Sequence, residues 1–158
     1  MAVLRPARPE DAPAIAAVLT AARAEQPFFP PIHTPADDLW FVTERMLPAN
    51  VVWVALESDA VVAFAAFDAD LLGHIFVAPP AQRRGIGHML LEKVKELRPH
   101  GFTLWTHQPN TQARAFYERE GLTAVEFTDG SATDEKVPDV RYAWRPGDQA
   151  AESVSRAP

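Results

Sequence analysis

The segment from His74 to Leu97 constrains the fold most, because it changes from a strand pattern to a helix pattern across a short basic turn. The apolar run Ile75 to Val77 ends just before Pro79-Pro80. Proline has no backbone N–H to donate to a neighbouring strand, so a central strand would end here. The apolar residues of the helical part, spaced four, four and three positions apart, are Ile86, Leu90, Val94 and Leu97. This spacing places them on one helix face, so a strand, a turn and a helix follow one another.

The turn from Gln82 to Gly87 has the chemistry of an anion site. The first turn of a helix has unpaired N–H groups and carries the positive end of the peptide dipoles. Gly85 and Gly87 lack the Cβ atoms that would keep a phosphate away from these N–H groups, and Arg83 and Arg84 add positive charge. The alternative is a plain strand-to-helix connection that contains glycine and arginine.

Two familiar phosphate-binding motifs do not match this turn. A dinucleotide-binding turn needs a third glycine three residues on, whereas Met89 and Leu90 follow here. A nucleoside-triphosphate loop needs Gly-Lys-Ser/Thr, which the segment lacks. If the turn binds a phosphate, that phosphate therefore belongs to a ligand of another class.

A second motif lies on the next predicted helix and reads Asn110-x-x-Ala113-x-x-Phe116-Tyr117-x-x-x-Gly121-Leu122. Asn110 is predicted to be the N-cap residue of this helix. It lies seven residues before Tyr117, about 20° from alignment on one helix face. Ala113 lies between them and is too small to block a ligand. Taken alone, the aromatic pair is better explained by core packing.

Together the two motifs resemble the GNAT superfamily of N-acetyltransferases. Gln82-x-x-Gly85-x-Gly87, after a strand ending Phe-Val-x-Pro, resembles the family's signature for the pyrophosphate of acetyl-CoA. The second motif resembles the family helix N-x-x-A-x-x-F-Y-x-x-x-G-F and departs from it only at Leu122. Residues Pro138 to Trp144 also resemble a terminal strand of bacterial members, so the similarity extends over residues 3–145.

The resemblance implies a coenzyme cleft between two strands, Leu71 to Val77 and Phe102 to His107, that separate at their carboxyl ends. The pantetheine arm would lie between them, the pyrophosphate on the turn, and the thioester sulfur beside Tyr117. The residues implied in acetyl-CoA binding are Phe76, Val77, Gln82, Arg83, Arg84, Gly85, Ile86, Gly87, His88, Asn110, Ala113 and Tyr117.

The order of predicted elements is strand, helix, helix, three strands, helix, strand, helix and two strands. We expect an α/β protein with the GNAT fold, in which a mixed sheet of about seven strands is flanked by four helices. A single domain would occupy residues 1–145. Residues 146–158 are small, polar and aperiodic, and are predicted to form a frayed tail.

The reaction that the resemblance implies is direct attack of a primary amine on acetyl-CoA in a ternary complex. The chain has no cysteine, which excludes an acyl-cysteine intermediate. Tyr117 is the candidate proton donor to the departing thiolate, and the Val77 N–H is the candidate oxyanion donor.

Many family members carry a glutamate on the strand from 71 to 77, where this chain has only His74 as a titratable residue. A water chain ending at His74 or His107 would serve as base, although either residue is also explained as a hydrogen-bonded sheet histidine.

The loop from Gln26 to His33 is placed where family members shape the acceptor pocket. Phe28, Phe29 and His33, with Trp105 on the neighbouring strand, predict a partly apolar pocket for a small amine, although core packing explains the aromatics as well. A protein-lysine acetyltransferase ranks lower, because the proline-rich loop would narrow the pocket. The main rival to the small-molecule enzyme is an acyl-CoA-binding sensor that keeps the coenzyme cleft but has lost turnover.

The balance of 15 basic against 21 acidic residues argues against nucleic-acid and anionic-membrane partners. No apolar run approaches the roughly 18 residues of a membrane span, and the amino terminus lacks the pattern of a signal peptide, so a cytoplasmic protein is expected. The five histidines show no His-x₃-His pairing, and no metal is predicted. Edge strands often pair between subunits in this family, which allows a homodimer.

Overall fold

The computed structural model describes residues 2–27 and 32–146. Its centre is one seven-stranded sheet in the order β1-β2-β3-β4-β5-β7-β6. The neighbours β4 and β5 run parallel, and the other pairs are antiparallel. The strands are β1 Val3–Pro6, β2 Val51–Glu57, β3 Ala60–Asp68, β4 Leu71–Val77, β5 Phe102–His107, β6 Thr123–Phe127 and β7 Asp139–Trp144.

Helices cover both faces of the sheet. They are α1 Ala12–Ala24, α2 Pro35–Phe41, α3 Leu47–Ala49, α4 Ile86–Leu97 and α5 Thr111–Arg119. A π-helical turn, Val42–Met46, joins α2 to α3, so residues 35–49 form one helical segment and four such segments flank the sheet. The α/β class and the order of elements are those predicted. No helix in the described ranges is long and apolar enough to cross a membrane.

The buried residues form two clusters, one on each face of the sheet. The cluster under α1 and the segment 35–49 contains Ile15, Leu19, Val42, Met46, Val54 and Phe64. The cluster under α4 and α5 contains Phe67, Leu90, Leu91, Val94, Leu104 and Tyr142. The residues predicted for the apolar face of α4 belong to the second cluster, where Ile86, Leu90 and Val94 are buried and Leu97 packs at its margin.

The start of α2 is built as its sequence predicts. The hydroxyl of Thr34 accepts a hydrogen bond from the N–H of Asp37, and the Asp37 carboxylate accepts one from the N–H of Thr34. The sequence predicts an apolar face made of Leu39, Trp40, Val42 and Met46, but the helix buries a different face. Leu39 and Trp40 are exposed, whereas Val42, Met46 and Asp38 are buried at spacings of four. A polar residue occupies this stripe because its carboxylate is satisfied by the side chains of Thr20 and Arg23.

A β-bulge at Gly73 opens the sheet. In the register with β3, Phe67 faces Leu72 and Ala66 faces His74, so Gly73 is the extra residue on β4. Parallel pairing between β4 and β5 is confined to Leu71 and Leu72, and the two strands separate beyond the bulge. The predicted divergence of these strands is therefore confirmed.

Candidate active site

A cleft of about 1130 Å³ begins where β4 and β5 separate. Its walls are the carboxyl ends of these two strands, the turn before α4, the first two turns of α5 and the end of α1. This volume lies slightly above the range of roughly 300–1,000 Å³ that is typical of small-molecule sites. The cleft is thus suited to an elongated ligand.

The turn before α4 presents backbone N–H groups to this cleft. Gly85 is the N-cap residue with φ of 81°, and it has no side chain to bond the N–H groups of the first helical turn. Arg83 also has a left-handed conformation, with φ of 66°. The side chain of Gln82 donates to the Val77 carbonyl over 3.0 Å, which ties the turn to the end of β4. Residues 82, 83 and 85–88 line the cleft.

Two residues of the turn have surroundings that the sequence did not predict. Arg84 does not line the cleft: its guanidinium lies 2.8 Å from the carboxylate of Glu57 and donates to the Pro80 carbonyl over 3.0 Å. A Cβ on Gly87 would lie 3.3 Å from the ring of Phe116. The glycine at 87 is therefore explained by close packing of α4 against α5, rather than by phosphate access.

The second motif places Asn110, Ala113 and Tyr117 on the opposite wall. The Asn110 side chain accepts from the N–H of Ala113 over 3.1 Å, as the predicted N-cap of α5 does. Tyr117 is 7% exposed, and its ring packs against that of Tyr142. Burial raises the pKa of the Tyr117 hydroxyl, with a smaller contribution from Tyr142. The Tyr117 hydroxyl therefore keeps its proton at neutral pH.

His74 lines the cleft as a neutral imidazole. Its ring meets Phe41 edge-on with centroids 5.4 Å apart. Burial, followed by the positive charge of Arg23, lowers the pKa of His74 to about 4. Taking a proton from an alkylammonium with a pKa near roughly 10.4 would then cost about 9 kcal/mol. These surroundings do not favour His74 as the base.

His107, at the end of β5, forms a pair with the first residue of β7. Its Nδ1 lies 2.7 Å from Oδ1 of Asp139, and both side chains are largely buried. Both residues line the cleft. Sequence reasoning missed Asp139 because 32 positions separate the partners, although its place at the head of a predicted strand was a usable signal.

The residues predicted to line the pocket for the acceptor amine do not all line the cleft. Trp105 lines the cleft and is 41% exposed, with the Arg141 guanidinium 5.9 Å from its ring centroid. His33 is exposed and is not among the lining residues. Phe28 and Phe29 lie outside the described residues.

The end of α1 reaches both walls of the cleft. The Glu25 carboxylate accepts from the Gln82 side chain over 2.9 Å, and the Gln26 side chain accepts from Asn110 over 3.4 Å. Both residues line the cleft, and Glu25 was not among the predicted site residues.

Among the described residues, His88, Glu92 and Glu120 have potential metal-ligand atoms within 4.8 Å of one another. The sequence prediction overlooked this group because Glu120 comes from the end of another helix. His88 Nδ1 lies 2.7 Å and 2.9 Å from the two carboxylate oxygens of Glu120, and that hydrogen bond accounts for the arrangement. We assign no metal to it.

Residues 48–122 match the family model of the GNAT acetyltransferase domain. The peptidyl-lysine N-acetyltransferase YiaC of Escherichia coli K12 is 36% identical over 75 residues, which are 47% of this chain and 51% of YiaC. The chain thus spans about half the length of this curated relative.

Solved structures share the fold over most of the chain. YjaB of Escherichia coli has a TM-score of 0.75 and 21% identity, over 91% of this chain and 97% of YjaB. A GCN5-related N-acetyltransferase of Rhodopseudomonas palustris has a TM-score of 0.76 and 21% identity, over 90% and 94% of the two chains. The ribosomal-protein-S18-alanine N-acetyltransferase of Escherichia coli has a TM-score of 0.70 and 20% identity, over 92% and 94%. Residues 48–122 thus match the GNAT acetyltransferase domain, and the described residues share the fold of solved GNAT structures.

Proposed function

We propose that this protein transfers the acetyl group of acetyl-CoA to the primary amine of a small molecule, by direct attack in a ternary complex. The observation that carries the proposal is the cleft between β4 and β5, which leads to the glycine-capped amino terminus of α4. Such a terminus suits a diphosphate, because its N–H groups and its dipole both favour negative charge.

The walls of the cleft fit the remainder of the coenzyme. Strand pairing between β4 and β5 stops at Leu72, so the β5-facing edge of residues 73–77 has no strand partner among the described residues. An extended pantetheine arm with two amide groups would pair with such an edge as an added strand. Ala113, on the α5 wall, leaves room beside it.

The residues of the chain then have separate tasks in the transfer. The Val77 N–H is proposed to stabilise the tetrahedral oxyanion. The buried Tyr117 hydroxyl is proposed to donate a hydrogen bond to the thiolate as it leaves. The absence of cysteine is consistent with direct attack of the amine on the thioester, and the amine attacks only after losing a proton.

A small amine is the proposed acceptor, since Glu25 and Gln26 bridge the two walls of the cleft and restrict its width. A second candidate is the ε-amine of a peptidyl lysine. The local identity to YiaC, whose name describes that activity, favours this candidate. An acyl-CoA sensor without turnover is the third.

Thiol release from acetyl-CoA, measured with Ellman's reagent, tests these candidates. The acceptors are a panel of polyamines, amino acids and aromatic amines, with lysine-containing peptides as the competing class. Release with a small amine supports the proposal, and release only with peptides supports the lysine acetyltransferase. Calorimetric binding of acetyl-CoA without release supports the sensor, and absence of binding would refute the coenzyme site itself.

Replacing Gly85 by alanine is expected to weaken acetyl-CoA binding about tenfold. A Cβ at this position would meet nothing within 4 Å, so the fold should persist. An alanine with the left-handed φ of 81° is destabilised by about 1–2 kcal/mol. In the free variant the turn is therefore expected to move to another conformation, which binding of the coenzyme must reverse. Each 1.4 kcal/mol corresponds to a tenfold change in affinity. Calorimetry measures the affinity, and thermal unfolding verifies the fold; wild-type affinity would contradict the predicted role of the turn.

Replacing Glu25 by glutamine is expected to tighten acetyl-CoA binding about two- to fivefold at low ionic strength. The carboxylate bonds to Gln82, beside the proposed diphosphate site, and its removal relieves a like-charge repulsion in high dielectric. Glu96→Gln is the matched control, since Glu96 is exposed on α4 and does not line the cleft. Equal affinities for the two variants would show that the charge of Glu25 does not act on the coenzyme.

A further inference from the structure

Three carboxylates are buried among the described residues: those of Asp11, Asp38 and Asp139. Asp11 and Asp38 each form an ion pair with an arginine, at 2.7 Å and 3.1 Å respectively. Asp139 is instead hydrogen-bonded to His107. Arginine stays charged at any ordinary pH, whereas an imidazole gains or loses its charge near neutrality. The third buried carboxylate therefore faces an imidazole rather than a permanent cation.

The position of Asp139 is held by the backbone around it. The residue lies directly opposite His107 in the register of β5 and β7. Its carbonyl accepts from the side chain of Gln108 over 2.8 Å and from the N–H of Thr128 over 2.9 Å. With both neighbouring segments bonded to it, the carboxylate is preorganised for the 2.7 Å contact with the imidazole.

This contact selects one tautomer of the histidine. An ionised carboxylate only accepts hydrogen bonds, so Nδ1 of His107 carries the hydrogen. In the neutral imidazole the lone pair is then on Nε2. A base whose orientation and tautomer are set by a buried carboxylate is the arrangement that many hydrolytic enzymes use, on unrelated folds, to take a proton from a nucleophile.

We infer that His107, positioned by Asp139, accepts the proton that the substrate ammonium must lose before it attacks. The inference rests on the proposed function and names the base of that reaction. An N–H bond of the ammonium breaks and an N–H bond forms at Nε2, directly or through one water. The freed electron pair attacks the thioester carbonyl, and the C–S bond breaks while the leaving thiolate accepts a hydrogen bond from Tyr117. The nitrogen, now bonded to the carbonyl carbon, loses a second N–H proton, which the thiolate takes directly or through water. The imidazolium finally returns its proton to solvent.

Other elements also bring charged or titratable groups to the cleft. The pH dependence of kcat/KM in the wild type alone therefore does not identify the base, and variants are needed to assign it. These groups are Arg23 and Glu25 of α1, His74 of β4, Arg83 and His88 at the start of α4, Tyr117 and Arg119 of α5, Glu120 after α5, and Glu135 before β7. Among them His74 competes most directly for the same role.

Kinetics over a range of pH test the inference with the amine that gives thiol release in the panel. At pH 7 we expect His107→Gln to lower kcat/KM by about 100-fold, the low end of the usual contribution of a general base, and Asp139→Asn by at least about tenfold. The deficit should shrink as the pH approaches roughly 10.4, because the amine is then increasingly neutral in solution. A residue with a structural role only would lower the rate by the same factor at every pH.

Asp11→Asn is the matched control. Asp11 and Asp139 are both 8% exposed, but Asp11 bonds to Arg5 and does not line the cleft. The Asp11→Asn variant should be less stable than wild type, but its kcat/KM should depend on pH in the same way. If wild type releases thiol while His107→Gln and Asp139→Asn lower kcat/KM equally at all pH values, or not at all, the inference is wrong and the proposed function stands. If wild type releases no thiol with any amine, the proposed function fails instead.

Nuclear magnetic resonance provides a readout that needs no turnover. Long-range ¹H–¹⁵N correlation spectra of the full-length chain at pH 8 distinguish the two imidazole tautomers, with the His107 signals assigned from His107→Gln. We expect the hydrogen on Nδ1 in wild type and loss of this preference in Asp139→Ala. A hydrogen on Nε2 in wild type would overturn the inference, whatever the kinetics show.

Discussion

Acidification from pH 6.5 to pH 4 is expected to destabilise the folded protein by about 3 kcal/mol through His74 alone. Burial, assisted by the charge of Arg23, lowers the pKa of this imidazole to about 4, against roughly 6.5 in the unfolded chain. Between these values the unfolded state binds a proton that the folded state does not. The free energy of unfolding therefore falls as the pH drops through this window, and the contribution of His74 is fully present above pH 6.5.

Urea unfolding of wild type and His74→Phe at pH 7 and pH 4.5 measures this effect. Phenylalanine does not titrate and keeps an aromatic ring beside Phe41. Wild type should lose more stability on acidification than the variant does, by roughly 2–3 kcal/mol. His100→Gln serves as control, because His100 is exposed and its replacement should leave the acid dependence as in wild type. Equal losses in wild type and His74→Phe would show that His74 titrates normally in the fold.

Replacing Tyr117 by phenylalanine is expected to lower kcat by about 10- to 100-fold, with little change in the KM for acetyl-CoA. The expected loss lies at or below the low end of general-acid effects for two reasons. A thiolate, with a thiol pKa of about 8.5, leaves without much help. Burial also raises the pKa of Tyr117, which makes the hydroxyl a hydrogen-bond donor to the thiolate rather than a strong acid. Initial rates with saturating amine measure the effect.

Tyr142→Phe is the matched control, since it removes the other tyrosine hydroxyl of the chain. That hydroxyl accepts from Arg114 and donates to Glu118, and Tyr142 does not line the cleft. Its removal should lower the melting temperature and spare kcat in the protein that remains folded. A wild-type kcat in Tyr117→Phe would remove Tyr117 from the chemistry.

Elements that depend on residues close together in the sequence could be predicted from the sequence. The apolar spacing after Gly85 predicted α4, and Asn110 was identified as the cap of α5. The proline-flanked run at Ile75 to Val77 predicted the end of β4. Each of these depends on contacts between residues a few positions apart, so their type and spacing carry the information.

Side chains that meet across the sheet could not be predicted in this way. Arg84 was assigned to the coenzyme, but its guanidinium pairs with Glu57, 27 positions earlier. His74 was a candidate base beside His107 because it is the titratable residue of its strand, yet its surroundings keep it neutral. Burial and neighbouring charge decide the pKa of such a group, and both depend on elements that are distant in the chain.

The sequence by itself determined the α/β order of elements, the glycine-containing turn before α4 and the resemblance to a known superfamily, because these depend on residue type and short-range spacing. Only the tertiary structure decided which side chains face one another in the cleft. The bulge at Gly73 changes which residues of β4 face each side of the sheet, and the register of β5 with β7 brings Asp139 to His107. Registers and bulges depend on the packing of all seven strands at once, and no local pattern encodes them.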